Sequence, residues 1–238
     1  MHDFCVIMVV LSIETSTSVC SAAIAVDGVT KISRMNREGT NHAKMLPIYI
    51  KELLDESASC GWHLDAVALS EGPGSYTGLR IGASTAKGIC YGLNIPLIPI
   101  ATTEVLCASL LANHPASQGN STLVPMIDAR RMEVYTDIQG VRAMIIDESA
   151  AATIKALSTE QKPVFYFGDG AEKCKPLLES ENVHFVENIV PDAAVMGALA
   201  ESKRDEATVR RTEQELAYYE PFYLKEFVAA PSHIKGLK

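Results

Sequence analysis

The sequence predicts an α/β protein of two lobes, each a mixed β-sheet flanked by helices. A β-meander opens the chain and then gives way to alternating helix and strand, which is how a mixed sheet covered on its faces is built. An apolar strand ending in an acid, a polar turn and a second strand occur twice, once around Glu14 and once around Asp128. The length of 238 residues suits one large domain or two closely packed lobes.

The elements follow in order. "VIMVVLSIE" is a continuous apolar run ending in Glu14, "TSTS" is a polar turn, and "VCSAAIAV" is a second strand. Asp27-Gly28 is a hairpin signal leading into a third strand, "VTKISRMN". In "NHAKMLPIYIKELLDESAS", Met45, Tyr49 and Leu53 form an apolar stripe at helical spacing, with Leu46 and Ile50 a little aside. Pro47 inside it means a helix that starts there or one that is kinked. "DAVALS" is a buried strand, "SEGPGSYTGLRIG" is a loop passing into a helix that ends at Leu93 with Asn94 as its cap, and "IPLIPIA" is a further strand. From Thr122 the pattern restarts. "TLVPMID" ends in Asp128, "ARRM" is a turn, "EVYTDI" is a strand and Gln139-Gly140 is a turn. "PVFYFGDGAEKC" is a strand and a glycine turn, with a helix starting at Ala171. The expected boundaries are an N-terminal lobe over 1–101, a C-terminal lobe over 102–225 and a loosely held tail over 226–238.

Composition narrows the function classes. The chain is 47% hydrophobic and 21% charged, ordinary for a globular protein. Its net charge of −8 gives it no electrostatic footprint for gripping a phosphate backbone unaided. The basic residues Lys203, Arg204, Arg210 and Arg211 alternate with acids, as on a solvated helix face. Six cysteines are scattered without C-x-x-C or framework spacing, which reads as a reducing compartment. The apolar run near the N-terminus lacks a preceding Lys or Arg and is too short for a membrane span, so a cytoplasmic location is expected.

The loop after "DAVALS" fits no standard chemistry. Gly72, Gly74 and Gly78 give G-x-G-x-x-x-G, without the lysine of a Walker-type loop and one residue longer than the dinucleotide fingerprint. Backbone N–H groups at the helix start, with Arg80 nearby, retain the chemistry to hold an anion. Pro73 stands where the nucleophile elbow needs glycine, so Ser75 is not a nucleophile. No H-E-x-x-H pair exists. The following helix carries a strip of Gly78, Gly82, Thr85, Ile89 and Gly92 beside its core stripe. Glycine inside a helix costs about 1 kcal/mol against alanine, so the strip needs an offsetting close approach. Packing within the chain and an interface with a second subunit remain equal readings.

Taken together, "LSIETSTSVCSAAI", "NHAKMLPIYIKELL", "SEGPGSYTGLRIG", "IDARRMEVY", "GDGA" and "PFYLK" resemble, in that order, the motifs of bacterial TsaB proteins, also called YeaZ. The resemblance spans nearly the whole chain from about Met8. It implies the two-lobed fold of the actin, Hsp70 and sugar-kinase superfamily. It also implies a part in making threonylcarbamoyladenosine beside the anticodon of tRNAs that read codons beginning with A. The implied partners are a TsaD-like catalytic subunit, a TsaE-like ATPase and a second copy of the chain, with tRNA reached only through the complex.

On that resemblance, the two N-lobe helices become the partner interface: Met45, Tyr49 and Leu53 on one, and Gly74, Tyr76, Gly78, Gly82, Thr85, Ile89 and Gly92 on the other. The two metal-binding histidines of TsaD correspond to Thr102 and Leu106, neither a metal ligand, and the lone His114 reads as a surface residue. Glu14 stands where the superfamily usually carries aspartate. With Thr15, Ser16, Thr17, Asp128, Arg130, Arg131, Gly168 and Gly170 it marks a vestigial nucleotide site. No metal, cofactor or catalytic residue of its own is expected, with ATP and magnesium acting at the level of the complex. The alternative is an ATPase or phosphotransferase acting alone, with Asp128 positioning magnesium and "TSTS" holding phosphate. Peptidase activity has no motif behind it.

Overall fold

The computed structural model describes residues 7–37, 39, 41–206 and 208–224; the expected tail over 226–238 lies outside them. The first lobe is a five-stranded sheet in the order β3-β2-β1-β4-β5, made of β1 (Val9–Glu14), β2 (Cys20–Val26), β3 (Val29–Asn36), β4 (Ala66–Gly72) and β5 (Leu97–Ala101). The meander β1–β3 is antiparallel, and β4 and β5 join it in parallel through helical crossovers. At the hairpin, Asp27 and Gly28 both take the left-handed backbone (φ 49 and 72) that a two-residue turn requires.

Alternation along β1 sends Val9, Leu11 and Ile13 to one face, where α1 (His42–Ser59) and α2 (Tyr76–Leu93) cover them. Val10 goes to the other face, and Ser12 and Glu14 follow it by the period of two. α1 starts at His42 and runs through Pro47, so the proline neither begins nor ends it. Its buried stripe is His42, Leu46, Ile50, Leu53 and Ser57, rather than the Met45–Tyr49–Leu53 line; Met45 and Tyr49 lie half-buried on its flank.

The second lobe repeats the first. β6 (Thr122–Pro125) and β7 (Ile127–Asp128) are one strand interrupted at Met126. Around them lie β8 (Glu133–Ile138), β9 (Val141–Ile145), β10 (Val164–Phe167) and β11 (Val183–Val186), in the orders β7-β8-β9 and β11-β10-β6. α4 (Glu148–Lys155) and the single turn α5 (Lys175–Leu178) cover one side. The helix expected from Ala171 is therefore a 3-10 turn over Glu172–Cys174 followed by that short α5. α3 (Thr102–Asn113) bridges the lobes, with Val105 in the first-lobe core and Leu106 and Leu110 in the second.

The expected boundary at 102–225 needs revision, because the chain returns to the first lobe. From Ala193 onward, Met196 and Ala200 of α6 (Met196–Lys203) cover the second face of the first sheet. Arg210 pairs with Leu97 as an extra bridge beyond β5 (N···O 2.8 and 2.9 Å), and Leu216 of α7 (Glu213–Tyr218) joins the core under α2. Lys203 does not lie on a solvated face. It is mostly buried, between Glu104 at 3.2 Å and Glu206 at 3.6 Å.

The glycine strip of α2 divides into two. A Cβ on Gly78 would collide with Thr15 O, one on Gly82 with Thr15 Oγ1, and one on Gly74, just ahead of the helix, with Ser16 O. These three seat the loop and helix on the β1–β2 turn of the same chain, and Gly78 and Gly82 are buried there and present no surface to a partner, which corrects their place in the expected interface; Gly74 is half-buried. Gly88 and Gly92 have open space beside them. Alanine at Gly82 should therefore lower stability by about 3 kcal/mol through overpacking, although alanine is the better helix former. Alanine at Gly88 should raise stability by up to about 1 kcal/mol. Denaturant midpoints of the two variants check the pair, and equal shifts would contradict the seating.

Candidate functional site

The turn over residues 15–18 is the first half of the expected nucleotide site, and its atoms are already engaged. Thr15 and Ser16 have no solvent exposure and Thr17 is buried. Thr15 Oγ1 donates to Gly78 O at 2.8 Å, and Ser75 N donates to Ser16 O at 2.6 Å. Ser75 itself is the N-cap of α2, its hydroxyl accepting from Gly78 N at 3.3 Å. His42 Nε2 lies 2.9 Å from Thr17 O and 3.1 Å from Val19 O. Two carbonyl acceptors require that nitrogen to carry the proton.

Glu14 closes this cluster from below. It is fully buried, and its Oε1 accepts from both Ser16 N and Ser16 Oγ at 2.5 Å. Its Oε2 has no hydrogen-bond partner among the described residues. Burial pushes its pKa up, against the lowering effect of hydrogen bonds from Ser16 and Ser70. Nearby, Ser70 Oγ and Thr102 Oγ1 are 2.8 Å apart. A phosphate needs free N–H and hydroxyl donors with solvent access. Here the Thr15 hydroxyl and both donors of Ser16 are engaged within the chain and buried, which leaves them no hydrogen to offer a phosphate.

The second half of the site is assembled separately. Asp128 Oδ1 accepts from Arg130 N at 3.0 Å and is ion-paired with Lys173, which also donates to Glu133 O at 2.8 Å. Asp169 Oδ1 accepts from Asp128 N at 2.9 Å. Arg130 and Arg131 both take left-handed backbone, φ 71 and 51, in the exposed β7–β8 turn. Gly168 and Gly170 let the β10 turn press against residues 126–128. Asp128, Arg130, Gly168 and Gly170 are thus brought together around one turn, while Glu14, Thr15, Ser16 and Thr17 lie in another cluster with its own bonds. Thr102 is bonded to Ser70, and Leu106 is wholly buried in core. His114 is not a surface residue: it is half-buried against Phe165 with ring centroids 5.5 Å apart. No group of three or more His, Cys, Asp or Glu side chains that could hold a metal exists among the described residues.

The surface left open is the flank of α2 beside α1. On α2 it carries Ile81, Thr85, Gly88, Ile89 and Gly92, and on α1 Met45, Ile48 and Tyr49. Ile48 is exposed and the other apolar side chains are half-buried. Of the expected interface residues, Met45, Tyr49, Thr85, Ile89 and Gly92 belong here; Leu53 is core, and Tyr76 lies at the other end of the helix under Tyr223. Gly88 went unnoticed because it sits about 80° from Gly78 and about 120° from Gly82 on the wheel, outside the strip drawn from Gly78.

Sequence reading also missed the segment after α7. Phe222 N donates to Glu71 O at 2.7 Å, and a Cβ on Gly72 would lie 2.5 Å from Phe222 O. Tyr223 stacks on Tyr76 at 4.9 Å, and Lys87 donates to Ala217 O at 2.8 Å and Tyr219 O at 3.1 Å. Part of "EPFYLK" is therefore docked across the glycine-rich loop instead of hanging free. No helix among the described residues is long and apolar enough to cross a membrane.

Comparison with known proteins gives concordant matches. The family model TsaD, tRNA N6-adenosine threonylcarbamoyltransferase, matches residues 36–231. A Haemophilus influenzae protein called tRNA threonylcarbamoyladenosine biosynthesis protein TsaB is 34% identical over 128 residues, 54% of this chain and 52% of that one. Bacillus subtilis and Escherichia coli proteins of the same name are 25% and 32% identical, over 72% and 54% of this chain and 76% and 53% of theirs. The match thus spans about half the length of the Haemophilus and Escherichia relatives. The solved structure of YeaZ from Pseudomonas aeruginosa superposes with a TM-score of 0.67 at 23% identity, covering 91% of this chain and 100% of that one. A second Pseudomonas structure, described as similar to peptidase YEAZ, gives 0.69 at 23% identity over 92% of this chain and 100% of its own.

The buried Glu14 carries a pH-dependent penalty whose sign is fixed. Its folded pKa lies above the ordinary 4.5, so the folded state holds the proton more tightly. Stability is spared below that value and falls as the pH rises through the interval up to the folded pKa. Glu14→Gln should accordingly stabilise the protein at neutral pH, with a gain that shrinks as the pH approaches 4. Denaturation midpoints of both proteins between pH 4 and 8 read the difference; a gain independent of pH would contradict the buried-acid account.

Proposed function

The chain belongs to the TsaB (YeaZ) branch of the threonylcarbamoyltransferase family and has its actin-like α/β fold, and from this we propose that it is a non-catalytic subunit of the machinery that makes threonylcarbamoyladenosine in tRNA. In this reading it docks a TsaD-like catalytic subunit on the α1–α2 flank and holds it in the productive state. A TsaE-like ATPase joins the assembly, and the same flank pairs two copies of the chain when the catalytic subunit is absent. The tRNA is met through the complex, and the setting is the cytoplasm.

One observation carries this reading: Gly88 and Gly92 lie on α2 beside open space. Glycine in a helix destabilises it by about 1 kcal/mol, and here nothing among the described residues approaches closely enough to offset that cost. A partner helix approaching a flank of glycine, threonine and isoleucine supplies the offset, since small residues let two backbones come close. Lone ATPase action is disfavoured by the spent donors of the 15–18 turn. ATP and magnesium then belong to other subunits.

Gly88→Arg and Ile48→Asp should each weaken association with the catalytic subunit at least tenfold while leaving the circular dichroism and melting curve of the chain intact. Transfer of threonylcarbamoyl to tRNA by purified catalytic subunit should rise when this chain is added and fail to rise with either variant. Unchanged transfer without the chain would overturn the proposal. Calorimetry with Mg-ATP should show no binding to the chain alone, and turnover abolished by Asp128→Ala would favour the ATPase reading.

A further inference from the structure

The strap formed by residues 219–223 touches both lobes. On the first-lobe side it is held by the backbone bond from Phe222 to Glu71 O, by Lys87 on Tyr219 O and by the Tyr223–Tyr76 stack. Gly72 is specified for it twice: its φ of 116 suits glycine alone, and any side chain there would meet Phe222 O. On the second-lobe side, Arg142 of β9 lies over the Phe222 ring, with its guanidinium carbon 4.9 Å from the centroid. The Arg142 charge, after those of Arg210 and Lys203, also reaches the Glu71 carboxyl at the end of β4.

Elsewhere the lobes are joined by the chain itself, at α3 and where residues 187–193 cross back. Two lobes joined at such crossings move relative to each other by default unless another contact restrains them. The Arg142–Phe222 pair is a restraint of that kind, because no covalent continuity lies behind it. A guanidinium over an aromatic face is weak enough to open and directional enough to select one arrangement.

We propose that residues 219–223 are a latch: Arg142 grips the Phe222 face and thereby holds the two lobes in one orientation, and release of that grip frees the second lobe to swing about its two crossings. The latch bears on α2 at Tyr76 and Lys87, so lobe orientation and the placement of that helix are linked.

The test places spin labels at Lys51→Cys and Glu160→Cys, both exposed and one in each lobe, in a full-length Cys5→Ser/Cys60→Ser background. Pulsed electron–electron distance measurement on the labelled chain diluted about tenfold into unlabelled chain, so that only distances within one chain contribute, should give one narrow distribution. Arg142→Ala and Phe222→Leu should each raise the population of a second, displaced distance about threefold to fivefold. Phe222→Tyr, which keeps the aromatic face, should stay narrow. Distributions identical to the unsubstituted chain in both Arg142→Ala and Phe222→Leu would overturn the latch, as would equal broadening in Phe222→Tyr. The readout is lobe geometry in the chain alone, so it stands or falls separately from any test of docking.

Discussion

The seating of α2 on the β1–β2 turn is the constraint on which the rest depends. Backbone oxygens of Thr15 and Ser16 come so close to Gly74 and Gly78 that any side chain at those glycines would displace the helix. A turn this polar cannot be buried unless its groups are paired. Thr15 gives its hydroxyl proton to Gly78 O, Ser16 O takes the Ser75 N–H, Thr17 O takes the His42 N–H, and Glu14 takes both protons of Ser16. The cluster therefore engages, within the chain, the Thr15 hydroxyl, the Ser16 N–H and hydroxyl and the Ser75 N–H. What looks like a ligand loop in sequence is a packing joint.

The same helix has an unused side. Residues on α2 facing the sheet are fully enclosed, and those facing the turn are glycines in contact. The flank near α1 combines two glycines without neighbours, a threonine whose hydroxyl returns to Ile81 O at 2.8 Å, and half-buried isoleucines. That threonine spends its polar group on its own helix and offers only a methyl outward. Such a surface is costly to leave in water and well suited to another helix. α7, Lys87 and the strap brace α2 from other directions, so the flank is presented in a fixed geometry and little ordering is left for binding to supply.

Much of the fold was legible because it rests on short-range signals. Continuous apolar runs marked β1, β2, β4 and β5; Asp27-Gly28 and Gln139-Gly140 marked hairpins whose backbones are indeed left-handed. The repeated strand–acid–turn motif anticipated the second sheet around Asp128. What escaped reading depends on residues far apart in sequence. Nothing local in "GALAESK" says that Met196 and Ala200 will cover the first sheet, because their partners Val10 and Ile98 lie about a hundred or more positions earlier. The interface reading failed at Gly78 and Gly82 for a related reason. A helix wheel shows which residues share a direction, and only the tertiary structure shows what stands in that direction. The docking of the strap was not legible because it has no periodicity of its own. Its order comes from Gly72, Tyr76 and Arg142.

The two lobes hold their strand-end acids in different surroundings. A ligand held between lobes needs donors from both sides at once. In the second lobe the Asp128 turn stays near solvent, yet its carboxylate is neutralised by Lys173 and tied to the Arg130 backbone. In the first lobe the facing turn is closed by α2. Both arrangements draw the polar groups of these turns into bonds within the chain. The glycines that close the turn lie on the same helix as those that stay open to solvent. Tightening α2 onto its own sheet therefore closes one flank of the helix and fixes the geometry of the other.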